Sequence, residues 1–211
     1  MLKIFFIITS LFLVQALPAQ YAGYSLVQDV AKFRNEFATA SQKTLTIKSN
    51  FVQEKNLSML SEKIISKGKF WFKKDNLVRM EYTQPFQYLM IINKDKVFVK
   101  DAQKENKVSA KSNKLFQQVN RIMIDCMQGT TLGNTDFKTR VFESKAAYLV
   151  EMIPVVKGIK ELFKNINVVV DKKDYSVNTI EMQELSGDNT IIHFSNKELN
   201  TTIQDALFAI R

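Results

Sequence analysis

Apolar positions along the chain switch between two periods. Leu26, Val30, Phe33 and Phe37 recur at spacings of four, three and four, one stripe of a helix running to about Ala40. Ser25-Leu26-Val27-Gln28 ahead of it has the form of a capping box, in which side chains satisfy the first free backbone donors. From Thr44 the period becomes two, with Leu45, Ile47 and Phe51 alternating with Thr46, Lys48 and Asn50. Further alternating runs span Lys67 to Lys73, Leu77 to Tyr82, Tyr88 to Ile92 and Val97 to Lys100. Short polar intervals such as Lys74-Asp75-Asn76 join them, which predicts antiparallel hairpins.

A second helix is predicted from Ser112 to Gly129. Leu115, Phe116, Val119, Ile122, Met123, Cys126 and Met127 fall at helical spacing, and Gly129 serves as the stop. Strand patterns resume at Phe137 to Phe142, Tyr148 to Ile153, Ile166 to Val170, Val177 to Leu185 and Thr190 to Ser195. Val155 to Asn165 reads either as a helical turn or as a long loop. No proline- or glycine-rich linker divides the chain and no internal repeat shows. The pattern predicts an α+β fold, one continuous antiparallel sheet with one or two helices inserted mid-sequence.

Within the strands, Phe70-Trp71-Phe72 leaves no polar face. Ordinary core on both faces accounts for that, and so does a cavity lined by Phe70 and Phe72 with Trp71 packed elsewhere. With that strand facing one way, Phe51, Phe70, Phe72, Val78, Met80, Tyr82 and Ile91 point inward. Ile91 depends on register, since a slip of one residue replaces it with Met90 or Ile92. Phe33, Phe37, Met123 and Met127 close the space from the helices. Methionine fills irregular cores, and it also suits a pocket that accepts flexible chains and releases them.

Composition adds a compartment. The chain has 211 residues. Its start joins Lys3, an apolar run from Ile4 to Val14, and small residues at Ala16-Leu17-Pro18-Ala19, the pattern of a cleavable export signal over residues 1–19. The run is well short of the roughly 20 residues that span a bilayer. Residues 20–211 then form one domain. Cys126 is the single cysteine, so no intramolecular disulfide is expected and packing supplies the stability. Formal net charge is +9, with lysines scattered through the turns as on a solvated surface. A mild attraction to anionic membranes or acidic partners follows, whereas no basic cluster on one helix face suggests nucleic acid.

Candidate catalytic chemistry is sparse. His193 is the only histidine and lies in a strand between Ile192 and Phe194; Cys126 sits on an apolar stripe. One histidine and one cysteine are too few for the usual zinc ligand set. Asp171 and Asp174 bracket Lys172-Lys173 in a turn, and Gly129-Thr130-Thr131-Leu132-Gly133 lacks the lysine of a phosphate loop. The chain is not expected to be an enzyme, and neither metal nor cofactor is expected.

Read from Ser49, the segments SNFVQEKN, GKFWFKKDNLVRMEYTQP and MIINKDKVFVKD resemble the LolA family of periplasmic lipoprotein carriers. The shared features are Phe51 and Gln53, the aromatic strand Gly68 to Phe72, then Arg79, Tyr82 and Pro85, followed by an apolar strand, turn and strand. The resemblance implies an unclosed antiparallel β-barrel, a half barrel of strongly curved sheet, with α-helices over the opening as a lid and acyl chains held between. It implies a monomer that carries acylated lipoproteins from an inner-membrane ABC-type extractor to an outer-membrane acceptor. In relatives an Arg-Pro in the turn after the aromatic strand helps hold the lid; Lys74 and Asp75 stand there instead. Lys keeps the charge without the planar fork, which leaves lid control to Lys74 or to Arg79. The family's proline-containing tail is not matched by Leu207-Phe208-Ala209-Ile210-Arg211, so the resemblance does not extend to handover by the usual tail contacts. Two other readings remain open: the same fold carrying a glycolipid or a pigment-type aryl-polyene lipid, and an RseB-like sensor of envelope lipids.

Overall fold

The computed structural model describes residues 21–94, 96–101, 105–106 and 114–210, and side chains are described outside 101–117. The expected signal segment lies outside the described residues. The elements in chain order are β1 (Ser25–Leu26), α1 (Val30–Lys43), β2 (Thr46–Leu57), β3 (Glu62–Lys73), β4 (Leu77–Gln84), β5 (Tyr88–Asn93), β6 (Lys96–Asp101) and β7 (Glu105–Asn106). Then come α2 (Lys114–Gln128), β8 (Phe137–Glu143), β9 (Ala147–Pro154), the short α3 (Lys157–Lys160), β10 (Phe163–Asp171), β11 (Val177–Glu184) and β12 (Asn189–Leu199).

All twelve strands join one sheet, ordered β1-β8-β9-β10-β11-β12-β2-β3-β4-β5-β6-β7. Neighbours are antiparallel, as hairpin turns allow. The sheet is strongly curved and unclosed, with α1 and α2 packed on its inner face. Period-two alternation sorts its two faces. Phe51 pairs with Gly68, Phe70 with Met80 and Phe72 with Val78, so these share the inner face. Gly68 is required there: a Cβ would lie 2.1 Å from the Glu81 carbonyl oxygen and 2.8 Å from the Phe51 ring.

The outer face of β3 to β6 carries a second, smaller core. Ile91, Phe98, Ile203 and Phe208 are buried in it, with Trp71, Leu77 and Leu89 at its edge. The segment after β12 crosses this face and turns in a 3-10 helix at Asp205–Phe208. Phe70-Trp71-Phe72 is therefore apolar on both sides because both sides are covered, one by the helices and the other by the chain's last described residues.

Two expectations near the amino end are corrected. Ser25 and Leu26 form a strand paired with Glu143 and Phe142 rather than a capping box. Helix α1 begins at Val30, and its cap is Asp29, whose carboxylate accepts from the Lys32 N–H at 2.9 Å. Leu26 is exposed, and the helix's buried stripe is Phe33 and Phe37. The ambiguous stretch from Val155 to Asn165 contains α3 and then the start of β10.

Candidate functional site: a cavity beneath helix α2

Residues placed inward on neighbouring strands form a nearly continuous apolar wall. Phe51, Phe70, Phe72, Val78 and Met80 are buried on the inner face, together with Met90 and Ile92 of β5. Phe33 and Phe37 of α1, and Ile122, Met123, Cys126 and Met127 of α2, pack against them. Between α2 and the β2–β5 part of the sheet this packing opens into a cavity of about 600 Å³, within the roughly 300–1,000 Å³ typical of small-ligand pockets.

The floor of the cavity comes from Met80 and Tyr82 on β4, Tyr88 and Met90 on β5, and Gln53 and Ile192 on β2 and β12. Val119, Asn120 and Met123 of α2 form its roof. Its mouth is set by Ile64 and Ser66 of β3 and by the Pro85-Phe86-Gln87 turn. Among the described residues, none lining the cavity carries a formal charge. The Tyr82 hydroxyl donates to Gln53 Oε1 at 2.9 Å, and its ring meets Phe51 and Tyr88 edge-on. Burial, with the neighbouring Tyr88 adding to it, raises the Tyr82 hydroxyl well above the ordinary phenol range.

Of the residues expected to line a cavity, Met80, Tyr82 and Met123 do so. Phe51, Phe70, Phe72, Val78, Phe33, Phe37 and Met127 lie in the closed core beside it. Ile91 is a correction. It stands opposite Arg79, not Met80, and packs in the outer core, while Met90 and Ile92 take the inward positions. Leu115 and Phe116 have side chains outside the described set. Asn120 escaped the sequence reading, although it sits three positions before Met123, on the same helical face; Gln53 entered it only as a motif residue and Met90 only as the register alternative to Ile91.

The helices are tied to the sheet at one end. Lys74 Nζ donates to the Gln42 carbonyl oxygen at 3.1 Å, and Gln128 Nε2 donates to Asn76 Oδ1 at 2.6 Å. The β3–β4 turn thus touches the last turns of both α1 and α2. Tyr175 holds α1 through Glu36 at 2.8 Å, and Arg121 holds α2 through Asp136 at 2.9 Å. Arg79 is the second correction. Its guanidinium lies on the outer face, pairs with Glu81 and donates to the Leu207 carbonyl oxygen at 3.2 Å. It anchors the carboxy-terminal segment and lies over Trp71, on the face away from α1 and α2.

The opposite end of the sheet, where the cavity opens, mixes exposed apolar and charged side chains. Among the described residues, seven of the ten exposed large apolar side chains lie in or beside its turns on the inner side, and Ile65 faces outward next to them. Met59 and Leu60 tip the β2–β3 hairpin beside Ile64 and Ile65, Phe86 crowns the β4–β5 turn, and Val155, Val156 and Leu185 follow β9 and β11. Met59 is 92 % exposed and Phe86 78 %. Exposed apolar surface gathered in this way marks a place of contact rather than ordinary solvated surface.

The family described as "Outer membrane lipoprotein carrier protein LolA" matches residues 42–211. The chain belongs to the LolA family. No curated protein sequence matches it. Among solved structures, the crystal structure of MucB is similar with a TM-score of 0.53 at 12 % identity, over 88 % of this chain and 64 % of MucB. The chain thus spans less than two thirds of MucB. A LolA superfamily protein from Nitrosomonas europaea gives 0.45 at 7 % identity, over 85 % of this chain and 97 % of its own. MucB in the Pseudomonas aeruginosa MucA/MucB complex gives 0.48 at 13 % identity, over 86 % and 61 %. With the family match, the fold is LolA-like: an unclosed curved sheet with helices over its inner face.

Proposed function

We propose that this LolA-family protein is a periplasmic carrier that holds the acyl chains of lipoproteins in the cavity beneath α2. It takes them from an inner-membrane ABC-type extractor and passes them to an outer-membrane acceptor. Residues 1–19 serve as its export signal and the remainder acts as one lipid-binding unit. The observation that carries this reading is an uncharged, mostly apolar cavity under a helix, opening at a rim of exposed apolar side chains.

Energetics favour a carrier with a cover. Each buried CH₂ is worth about 0.8 kcal/mol, so one long acyl chain represents more than about 10 kcal/mol of apolar transfer. Binding at that strength would not release. Much of the inner wall is covered by α1 and α2. Lifting them to admit more chain costs free energy and offsets part of the gain. The ties at Lys74 and Asn76 set that cost at one end, and the exposed apolar side chains of the rim let a chain enter at the other without crossing open water.

A second reading keeps the fold and changes the role: an RseB-like sensor that reports acyl lipids to a protein partner. Purification of the mature protein from its own host, followed by mass spectrometry of what accompanies it, separates the two. A diacylated or triacylated protein is expected for the carrier. Free lipid with a stoichiometric partner protein points to the sensor, and a preparation that takes up no acyl ligand contradicts both.

A further inference from the structure

The roof of the cavity contains a polar group that the fold leaves unmet. Asn120 of α2 is 7 % exposed and contributes to the cavity wall, and its Nδ2 is buried with no hydrogen-bond partner among the described residues. Gln118, two residues earlier, has a buried Oε1 in the same condition. A buried donor without an acceptor bears the full desolvation penalty of the group, which is why native proteins hold few of them. On an otherwise apolar roof it lowers the cost of lifting α2, because opening lets the amide hydrate or meet a ligand.

The chemistry of the missing partner follows from the walls. It must be an acceptor, because Nδ2 donates. It must be joined to hydrocarbon, because Val119, Met123, Met90 and Ile192 surround the space. A neutral acceptor fits best, because among the described residues the lining of this cavity supplies no cation to offset a carboxylate taken from water. An ester or amide carbonyl of an acyl group meets all three conditions, and a free fatty-acid carboxylate meets only two. Asn120 also borders a smaller, largely polar space of about 270 Å³, whose lining includes Lys94, Arg121 and Asp125 beside Ile92 and Val97. A carbonyl held by Asn120 would stand where the apolar cavity meets this polar space.

We infer that Asn120 is a specificity residue, donating from Nδ2 to the acyl carbonyl of the cargo and so selecting acyl esters and amides over carbonyl-free or carboxylate lipids. This rests on the acyl-carrier reading above and deepens it.

Two probes that differ only by the carbonyl test it: a long-chain 1-monoacylglycerol and the 1-O-alkylglycerol of the same length, each displacing a fluorescent acyl probe from the mature protein. The wild type is expected to bind the ester about tenfold more tightly than the ether, the value of one buried neutral hydrogen bond. Asn120→Leu, close in volume, is expected to erase that preference by losing ester affinity while ether affinity is kept. Equal binding of the two lipids by the wild type overturns the role of Asn120 and leaves the acyl cavity standing. Binding of neither overturns both. The wild-type comparison decides the matter even if the variant does not fold.

Discussion

The ammonium of Lys74 donates to the carbonyl oxygen of Gln42 at 3.1 Å, joining the β3–β4 turn to the last turn of α1. The last carbonyls of a helix lack intrahelical donors and carry partial negative charge, so a cation there is favourable. One lysine thus fastens one end of the cover over the inner face. Asn76, two residues on, fastens the other helix through Gln128.

Replacing Lys74 by Met should cost little stability, about 0.3–1 kcal/mol as for other exposed helix-end charges, yet speed the entry of an acyl probe. Lys74→Arg should keep the wild-type rate, since it restores a donor at the same carbonyl. Stopped-flow fluorescence with a labelled fatty ester gives the rates. Identical rates in all three proteins would remove Lys74 from control of the cover.

The inner and outer faces of β3 should respond differently to truncation. Phe70 is fully buried in the main core, and Phe70→Ala should lower stability by about 3–5 kcal/mol. Trp71 borders the outer core beneath the carboxy-terminal segment. Trp71→Ala should loosen that segment to proteolysis near Ile203 to Phe208 while acyl binding stays as it was. Loss of binding in the Trp71 variant would mean that the outer core supports the cavity as well.

The strand periods, the hairpin order and the apolar face of α2 were legible in the sequence because each follows from local alternation. Ile91 was misplaced because Leu89 to Ile92 is apolar throughout, so only pairing with β4 fixes which residues face in. Arg79 was offered for the cover because the resemblance expects an arginine there and Lys74 stands in its place, whereas its actual partner at Leu207 lies 128 residues away in sequence. The amino-terminal strand pairs with β8 across a similar distance, which no local pattern announces. Asn120 was passed over because an apolar stripe is read by its apolar members, whereas an orphaned amide shows only once its surroundings are known.

Gly129 ends α2 with φ at +69°, and a Cβ there would fall 2.2 Å from Ser41 Oγ of α1. Gly129→Ala should therefore both strain the backbone and push the two helices apart, costing at least about 1 kcal/mol, or about 2–4 °C in Tm for a chain of this size. Pairing it with Ser41→Gly should recover the part due to the contact and leave the part due to φ. Calorimetry on the single and double variants separates them.

Burial pushes the Cys126 thiol up to about 12 from an ordinary value of 9.0. Above pH 9 the unfolded chain loses this proton while the folded chain keeps it, so stability should fall as pH rises. The slope from this group approaches about 1.4 kcal/mol per pH unit. Urea unfolding at pH 8, 9 and 10 should show a smaller decline in Cys126→Ala than in the wild type. Parallel declines would show that the thiol is not shielded as its place on α2 implies.

The account stands or falls on where hydrocarbon goes. A photoactivatable acyl ester bound to the mature protein and irradiated should label Met80, Tyr82, Met90 and Met123 beneath α2, as peptide mass spectrometry would read. Labels confined to the exposed rim around Met59 and Phe86, or placed on the outer face near Trp71 and Ile91, would contradict a cavity that shelters acyl chains.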